Sequence, residues 1–276
     1  MKEDSWILEY NCFVAGFGAF GIFFRWMQLM VTRNEEGLFQ TGFWSFALPA
    51  LFIASLILFS RKIKGMKDER QYLPKAFCAG LKNEGKIYEA CRIAAGAMMV
   101  IGALLLLMQC ETDKNAKFLY VLAGTGIASG IAFPILLASA NKPHNENPSL
   151  YAFLSAIPVI QFATWLITCY KQNSISSIAW QYVTEVVTVS VTLVAFFQVA
   201  GFSFYTSKWH QSLFWASAGA ELCIMSLADE RYLGQQIMLA AAAVMLILYN
   251  WIIMSNLKTA KKANVQEEDI GFEYYR

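Results

Sequence analysis

Charged side chains are scarce in this chain of 276 residues, and their scarcity excludes most classes of soluble protein. Only 15% of the residues are Asp, Glu, Lys or Arg and 57% are hydrophobic, whereas soluble domains contain about 25% charged residues. The apolar residues lie in long blocks, which is typical of a protein that crosses a membrane several times. The net charge of +2 and the absence of a basic, aromatic-rich patch argue against nucleic acid as a partner.

Residues and motifs that carry chemistry are also missing. The six cysteines are scattered without a C-x-x-C pair, which favours small buried side chains over disulfides or metal ligands. Both histidines, His144 and His210, lie at the edges of the long apolar blocks, which excludes a bis-histidine haem site inside the membrane. No lysine lies in a span after Trp209, which excludes a retinal Schiff base. No nucleotide-binding, zinc-protease or nucleophile-elbow motif is present. We therefore expect no cofactor, no metal and no catalytic residue, and no enzymatic activity is indicated.

Eight apolar stretches are long enough to span a bilayer, which takes about 20 residues as a helix. We expect an all-α transmembrane helix bundle, with residues 1–256 as a single domain and 257–276 as a tail. The seventh stretch is short and interrupted by Glu221, so a count of seven is the alternative. The predicted spans are Trp6–Met30, Phe43–Ser60, Tyr88–Gln109, Phe118–Asn141, Leu150–Tyr170, Ile178–Tyr205, Trp209–Ala228 and Tyr232–Ser255.

The distribution of Lys and Arg predicts how the chain is threaded. Eight of them lie between Arg61 and Lys86, and further ones follow in the tail. Basic loops stay on the cytoplasmic side, and eight spans put both segments there. We therefore expect both termini in the cytoplasm, a basic cytoplasmic loop at 61–87, and a multi-pass membrane protein.

Small residues cluster in the first and fourth spans, as "AGFGAFG" (15–21) and "AGTGIASG" (123–130). The spacing of Gly126 and Gly130 allows two helices to approach closely. A flexible or broken helix beside a binding site is the alternative interpretation.

Three ionisable residues fall at one depth near the outer ends of their spans. Glu185 and Glu221 each lie about 10 Å from the predicted outer end, and Arg25 lies at almost the same level. A charge in hydrocarbon needs a partner or a watery cavity. We therefore predict an outward-facing polar cluster of Arg25, Glu185 and Glu221, with Arg25 as the counter-ion of Glu221.

A second level of polar residues lies nearer the cytoplasm. These residues either fix the bundle through interhelical hydrogen bonds and ion pairs or line a polar path for a solute, ion or proton. The members of this predicted inner cluster are Glu9, Glu89, Arg92, Gln198 and Asn250.

Three segments between Tyr151 and Trp251 resemble segments of other membrane proteins. They are "IPVIQFATWLITCYKQNS", "YVTEVVTVSVTLVAFFQVAGFSFY" and "LCIMSLADE". Through them the chain resembles eight-helix integral membrane proteins of clostridial, gut-associated bacteria, which implies a location in the bacterial cytoplasmic membrane and a topology but no activity. The eight-span plan and "AGAEL" are also faintly similar to the membrane anchor of DMSO-reductase-type oxidoreductases, but no histidine stands inside a span.

The sequence therefore favours a membrane protein that binds or moves a small solute or ion through a polar intramembrane cavity. The alternative is a non-catalytic anchor or regulatory subunit that contacts a partner membrane protein. A sensor is less favoured because little of the chain lies outside the spans. Membrane lipids are expected partners in every case.

Overall fold

All regular structure in the described part of the chain is helical. The computed structural model describes residues 5–32, 42–69, 77–110, 117–141, 148–173, 179–204, 206 and 208–270. The predicted all-α fold is confirmed over these ranges. The helices are α1 (Ser5–Thr32), α2 (Phe43–Glu69), α3 (Phe77–Leu81), α4 (Lys86–Cys110), α5 (Lys117–Ser139), α6 (Pro148–Asn173), α7 (Ala179–Ala200), α8 (Trp209–Met225) and α9 (Leu233–Ile270), with 3-10 turns at Gly201–Phe204 and Ser226–Ala228.

Eight long helices pack side by side and alternate in direction along the chain. Each of them is antiparallel to the next, as the ring pairs Phe13–Phe59 and Phe24–Trp44 show for α1 and α2. Because α1 and α8 are separated by an even number of reversals, they run parallel. The starts of α1, α4, α6 and α8 thus share one end, which we call the basic end after its exposed residues Arg61, Lys62, Lys64, Lys82 and Lys86.

Seven of these helices are long and apolar enough to cross a membrane, namely α1, α2, α4, α5, α6, α7 and α9. The exception is α8, which has 17 residues and contacts α1, α2, α7 and α9. Every residue from Ala216 to Cys223 is buried. Because α8 is surrounded by protein, small and polar side chains suffice where a lipid-facing helix needs large apolar ones.

Paired glycines bring α4 close to its two main neighbours. A Cβ atom on Gly96 would lie 2.5 Å from the carbonyl oxygen of Gly130 on α5. A Cβ atom on Gly234 of α9 would lie 2.6 Å from the carbonyl oxygen of Gly102. Both contacts are between backbones, which confirms the close-approach interpretation of the small residues at 123–130.

The basic segment 61–87 is partly helical rather than a loop throughout. α2 continues to Glu69, and α3 follows after residues that lie outside the described ranges. Phe77 and Leu81 of α3 are buried, and Asn83 donates hydrogen bonds to the carbonyl oxygens of Leu81 and Leu137. This short segment therefore packs into the basic end between the ends of α5, α6 and α9.

Candidate functional site

A buried ion pair joins α1 to the turn between α8 and α9. Arg25 Nε donates to Asp229 Oδ1 at 2.6 Å, and Arg25 Nη1 donates to Gln28 Oε1 at 2.7 Å. Asp229 comes directly after the 3-10 turn Ser226–Ala228, and its backbone N–H donates to the carbonyl oxygen of Ser226. The arginine is 3% exposed and the aspartate 7%. This pair therefore lies within the bundle and not on its surface.

Arg231 extends this pair into a network of four charges. Its Nη2 lies 2.8 Å from Asp229 Oδ2 and its Nε lies 3.8 Å from Glu185 Oε2 on α7. Trp165 of α6 donates from its indole nitrogen to Glu185 Oε1 at 3.0 Å. We call Arg25, Glu185, Asp229 and Arg231 the ionic network. Its two cations and two carboxylates balance, which offsets part of the cost of removing each charge from water.

The ionic network is buried because the neighbouring helices extend beyond the turn between α8 and α9. α1 and α8 are parallel, with Gly18 against Ile224 and Gly21 against Met225. From Arg25, opposite Asp229, α1 continues to Thr32, which is about 10 Å further along its axis. α7 likewise begins at Ala179, about 9 Å before Glu185. The charges that end α8 therefore lie inside the bundle on the side of α1, α6 and α7.

Glu221 stands apart from the ionic network. It is 2% exposed, and its Oε2 accepts a hydrogen bond of 2.6 Å from Ser55 Oγ on α2. Ser55 is fully buried. No Lys or Arg among the described residues forms an ion pair with Glu221, which lies about two helical turns from Asp229. Glu221 is thus a carboxyl group in the interior with one hydroxyl donor and no counter-ion in the part of the chain the structure covers.

Of the predicted outer cluster, the structure places Arg25 and Glu185 in one network and leaves Glu221 outside it, so Glu221 is not the partner of Arg25. Arg25 and Glu185 belong to one network, but Asp229 and Arg231 connect them. The pairing of Arg25 with Glu221 follows from the sequence only if the outer ends of all spans are level. Since α8 ends short of α1 and α7, Asp229 and not Glu221 lies at the depth of Arg25.

Asp229, Arg231, Trp165 and Ser55 are the site residues that the sequence did not reveal. Asp229 and Arg231 flank an apolar stretch and therefore look like loop residues. The available sign was the shortness of the seventh stretch, because a short central helix places its flanking charges inside the bundle. Nothing in the sequence pattern marks Ser55, which is one hydroxyl in an apolar span.

The predicted inner cluster is dispersed by the structure. Glu89 and Arg92 pair at 3.4 Å on the exterior of α4, where Arg92 also donates to Asn83 Oδ1. Glu9 is exposed on α1, and Gln198 lines a crevice between α6 and α7. The prediction of one cluster is therefore wrong, because these side chains leave different faces of their helices.

Asn250 forms a separate polar contact in the interior. Its Nδ2 donates to Ser217 Oγ at 3.1 Å, and Ser217 donates its own proton to the carbonyl oxygen of Leu213. Tyr10 therefore donates its hydroxyl proton to Ser217 Oγ, at 2.8 Å. The three side chains link α1, α8 and α9. The oxygen Oδ1 of Asn250 is buried without a hydrogen-bond partner in the described part of the chain.

These polar contacts follow one another along α8. From the basic end they involve Ser212, Ser217 and Glu221, then Ser226 and Asp229 beyond the helix. We call these five residues the polar column. It is enclosed by α1, α2, α7 and α9, so polar groups occur along the central helix from the basic end to the ionic network.

The fold and these contacts define a polytopic helical membrane protein with a buried ionic network and a lone interior carboxyl group. Within the described ranges, no group of three or more His, Cys, Asp and Glu side chains could hold a metal ion. Comparisons with protein-family models, curated proteins and solved structures find no match to this chain. The resemblance to clostridial eight-helix proteins therefore stays a prediction.

Proposed function

We propose that this protein binds and conducts a small cation or protons across the membrane, with Glu221 as the exchange site. The observation that carries the proposal is the isolation of the Glu221 carboxyl group, whose one hydrogen-bond partner among the described residues is Ser55. An ionised side chain in the hydrocarbon region costs at least ~2.5–3.5 kcal/mol on insertion scales. A carboxyl group in this position therefore takes up a proton or a cation to remain in the interior.

The polar column supports a path to that site. On the basic-end side of Glu221 lie the polar groups of Ser217, Tyr10 and Asn250, and on its far side lie those of Ser226 and Asp229. Hydroxyl and amide groups of this kind can relay a proton or replace the water around a small ion. The carboxylates of the ionic network lie beside guanidinium groups, so we assign this network to holding the helices together and not to exchange.

The proposal is tested by flux measurements on the purified full chain in liposomes. A pH-sensitive dye inside the vesicles reports proton entry when a potassium gradient with valinomycin sets a negative interior potential, and parallel vesicles contain Na⁺ or K⁺ indicators. We expect uptake of H⁺ or one of these cations by the wild type and a loss of at least tenfold for Glu221→Gln. Ser55→Ala should reduce the flux less, because it leaves the carboxyl group in place.

Glu84→Gln is the matched control, since Glu84 is an exposed carboxylate paired with Lys82 at the basic end. It should conduct as the wild type does. Equal flux for wild type, Glu221→Gln and empty vesicles would contradict the proposal.

The second candidate is an anchor or regulatory subunit for a partner complex, favoured by the exposed lysines and arginine of the basic end. An acidic surface of a partner protein would complement them. This candidate predicts no flux, together with stable co-purification of a co-expressed partner that is lost when Arg61, Lys64 and Lys86 are replaced by Gln.

A further inference from the structure

A cavity lies away from the ionic network and Glu221, on the side of the bundle at its basic end. It has a volume of about 600 Å³ and lies between α6, α7, the 3-10 turn Gly201–Phe204 and the start of α8. We call it the lateral crevice. Ile160, Phe197 and Phe204 on its rim are exposed on the bundle surface. Because that surface faces lipid in a membrane, the crevice opens to the bilayer and not to water.

The wall of the lateral crevice is apolar and built around small residues. Small residues leave space for the cavity, namely Ala156 on α6 and Ala200 and Gly201 at the end of α7. Larger apolar side chains border it. A cavity of this size is in the range of about 300–1,000 Å³ that is typical of small-molecule sites.

The polar lining residues are Gln198, Thr206, Lys208 and Gln211, which gather at the basic end of the crevice. Lys208 forms no ion pair within the described residues, and the side-chain amides of Gln198 and Gln211 make no hydrogen bond there. Three donor groups are thus available at one end of an otherwise apolar hollow. An amide at this depth is costly unless a partner accepts its hydrogen bonds.

We propose that the lateral crevice binds one anionic glycerophospholipid from the surrounding leaflet. The donors lie in the order in which such a lipid presents its acceptors. Lys208 is outermost, where a phosphate would lie, and Gln211 lies in the first turn of α8. The backbone carbonyl oxygen of Gln198 accepts a hydrogen bond from Ser212, the residue after Gln211, so both glutamines lie about one turn deeper than Lys208, at the height of an ester group. The acyl chain would then run along Ala156, Ile160 and Phe197.

Both the positive charge of Lys208 and the lateral direction of the opening favour an anionic lipid over a soluble anion. The opening is lateral and its walls are apolar, so a free phosphate would gain little beyond Lys208. A neutral phospholipid would place a cation near Lys208, whereas an anionic headgroup supplies an unbalanced negative charge to it. Basic residues at the membrane surface recognise anionic lipids in this way.

Native mass spectrometry of the full chain, released from detergent after extensive delipidation, tests this proposal. The probes are phosphatidylglycerol and phosphatidylcholine with identical acyl chains, and glycerol phosphate as the free headgroup. We expect one retained phosphatidylglycerol per chain, weaker retention of phosphatidylcholine and none of glycerol phosphate. Lys208→Gln should weaken phosphatidylglycerol binding about fivefold, the share of one surface lysine.

Two further variants separate this site from general attraction to lipid. Ala156→Phe fills the hollow and should abolish retention of both lipids, while Lys86→Gln removes a basic-end lysine outside the crevice and should change neither. Equal retention of both lipids, equal binding of glycerol phosphate, or equal losses for Lys208→Gln and Lys86→Gln would each overturn the proposal. Thermal unfolding of every variant without lipid shows that it is folded. Since Glu221 does not line the crevice, this result is independent of the flux measurement.

Discussion

Glu185 and Glu221 both lie in the interior, but their different neighbours give them different roles. Glu185 accepts from the Trp165 indole and lies beside the Arg231 guanidinium. Glu221 accepts from the Ser55 hydroxyl and has no cation beside it in the described part of the chain. A carboxylate that is paired with a guanidinium group serves to hold the helices together. An unpaired one retains a place for a proton or a cation, which is why the proposed exchange chemistry is assigned to Glu221.

The Arg25–Asp229 pair should be strongly coupled in unfolding experiments. Asp229→Asn leaves two guanidinium groups with Glu185 as the one remaining carboxylate of the network, and breaking a buried pair typically costs ~3–5 kcal/mol. Adding Arg25→Met to Asp229→Asn should recover part of that loss, because the unpaired cation is removed. The measurement is the unfolding midpoint in detergent of both single variants and the double variant.

A surface pair provides the control for this cycle. Lys82 and Glu84 lie 2.9 Å apart but are largely exposed, and Glu84→Gln should change stability by less than ~1 kcal/mol. Strictly additive effects of Arg25→Met and Asp229→Asn would show that the two side chains do not support each other.

At the scale of helices, the apolar blocks predict the elements well and their mutual heights poorly. The predicted first span Trp6–Met30 became Ser5–Thr32, and the predicted seventh span Trp209–Ala228 became α8 with its 3-10 turn. Hydropathy reports which residues leave water, so it locates helices. It carries no information on how far one helix slides past another, and that sliding decides that Arg25 meets Asp229 and not Glu221.

The close approach of α4 and α5 should make Gly130 intolerant of a side chain. A Cβ atom there would lie 2.7 Å from the carbonyl oxygen of Gly96 and 2.7 Å from Val100 Cγ2. Since backbone cannot move aside as a flexible side chain does, Gly130→Ala should destabilise the protein by roughly 1–3 kcal/mol. Thermal unfolding in detergent measures the loss.

Gly124 on the same helix is the matched control. A Cβ atom at Gly124 has nothing within 4 Å, so Gly124→Ala should leave the midpoint unchanged or raise it slightly through better helix propensity. Equal midpoints for the two variants would mean that α4 and α5 do not pack through their glycines.

At the scale of the whole molecule, the alternating directions of the helices require α8 to cross the membrane. α8 runs beside α1 from the level of Tyr10 to that of Arg25. With the following 3-10 turn, α8 extends about 30 Å, which matches the hydrocarbon thickness of a bilayer. Composition alone marks it as the weakest span, because its Ser, Ala and Gly residues contact other helices and not lipid.

We therefore predict that α8 crosses the membrane and that both basic segments face the cytoplasm. In a bacterial host, a fluorescent-protein fusion after Arg276 of the full chain should be fluorescent, which requires a cytoplasmic location, and an alkaline phosphatase fusion there should be inactive. Fusions after Lys82 should behave in the same way, because α1 and α2 return the chain to the basic end. A fusion after Lys171, at the opposite end of α6, should give the reverse pattern, with active phosphatase and no fluorescence.

The physical reason is that Lys and Arg near short loops are retained on the cytoplasmic side, and an even number of crossings is needed to keep 61–87 and the tail together. If the fusions after Lys82 and Arg276 reported opposite sides, the number of crossings between them would be odd and α8 would not be a span.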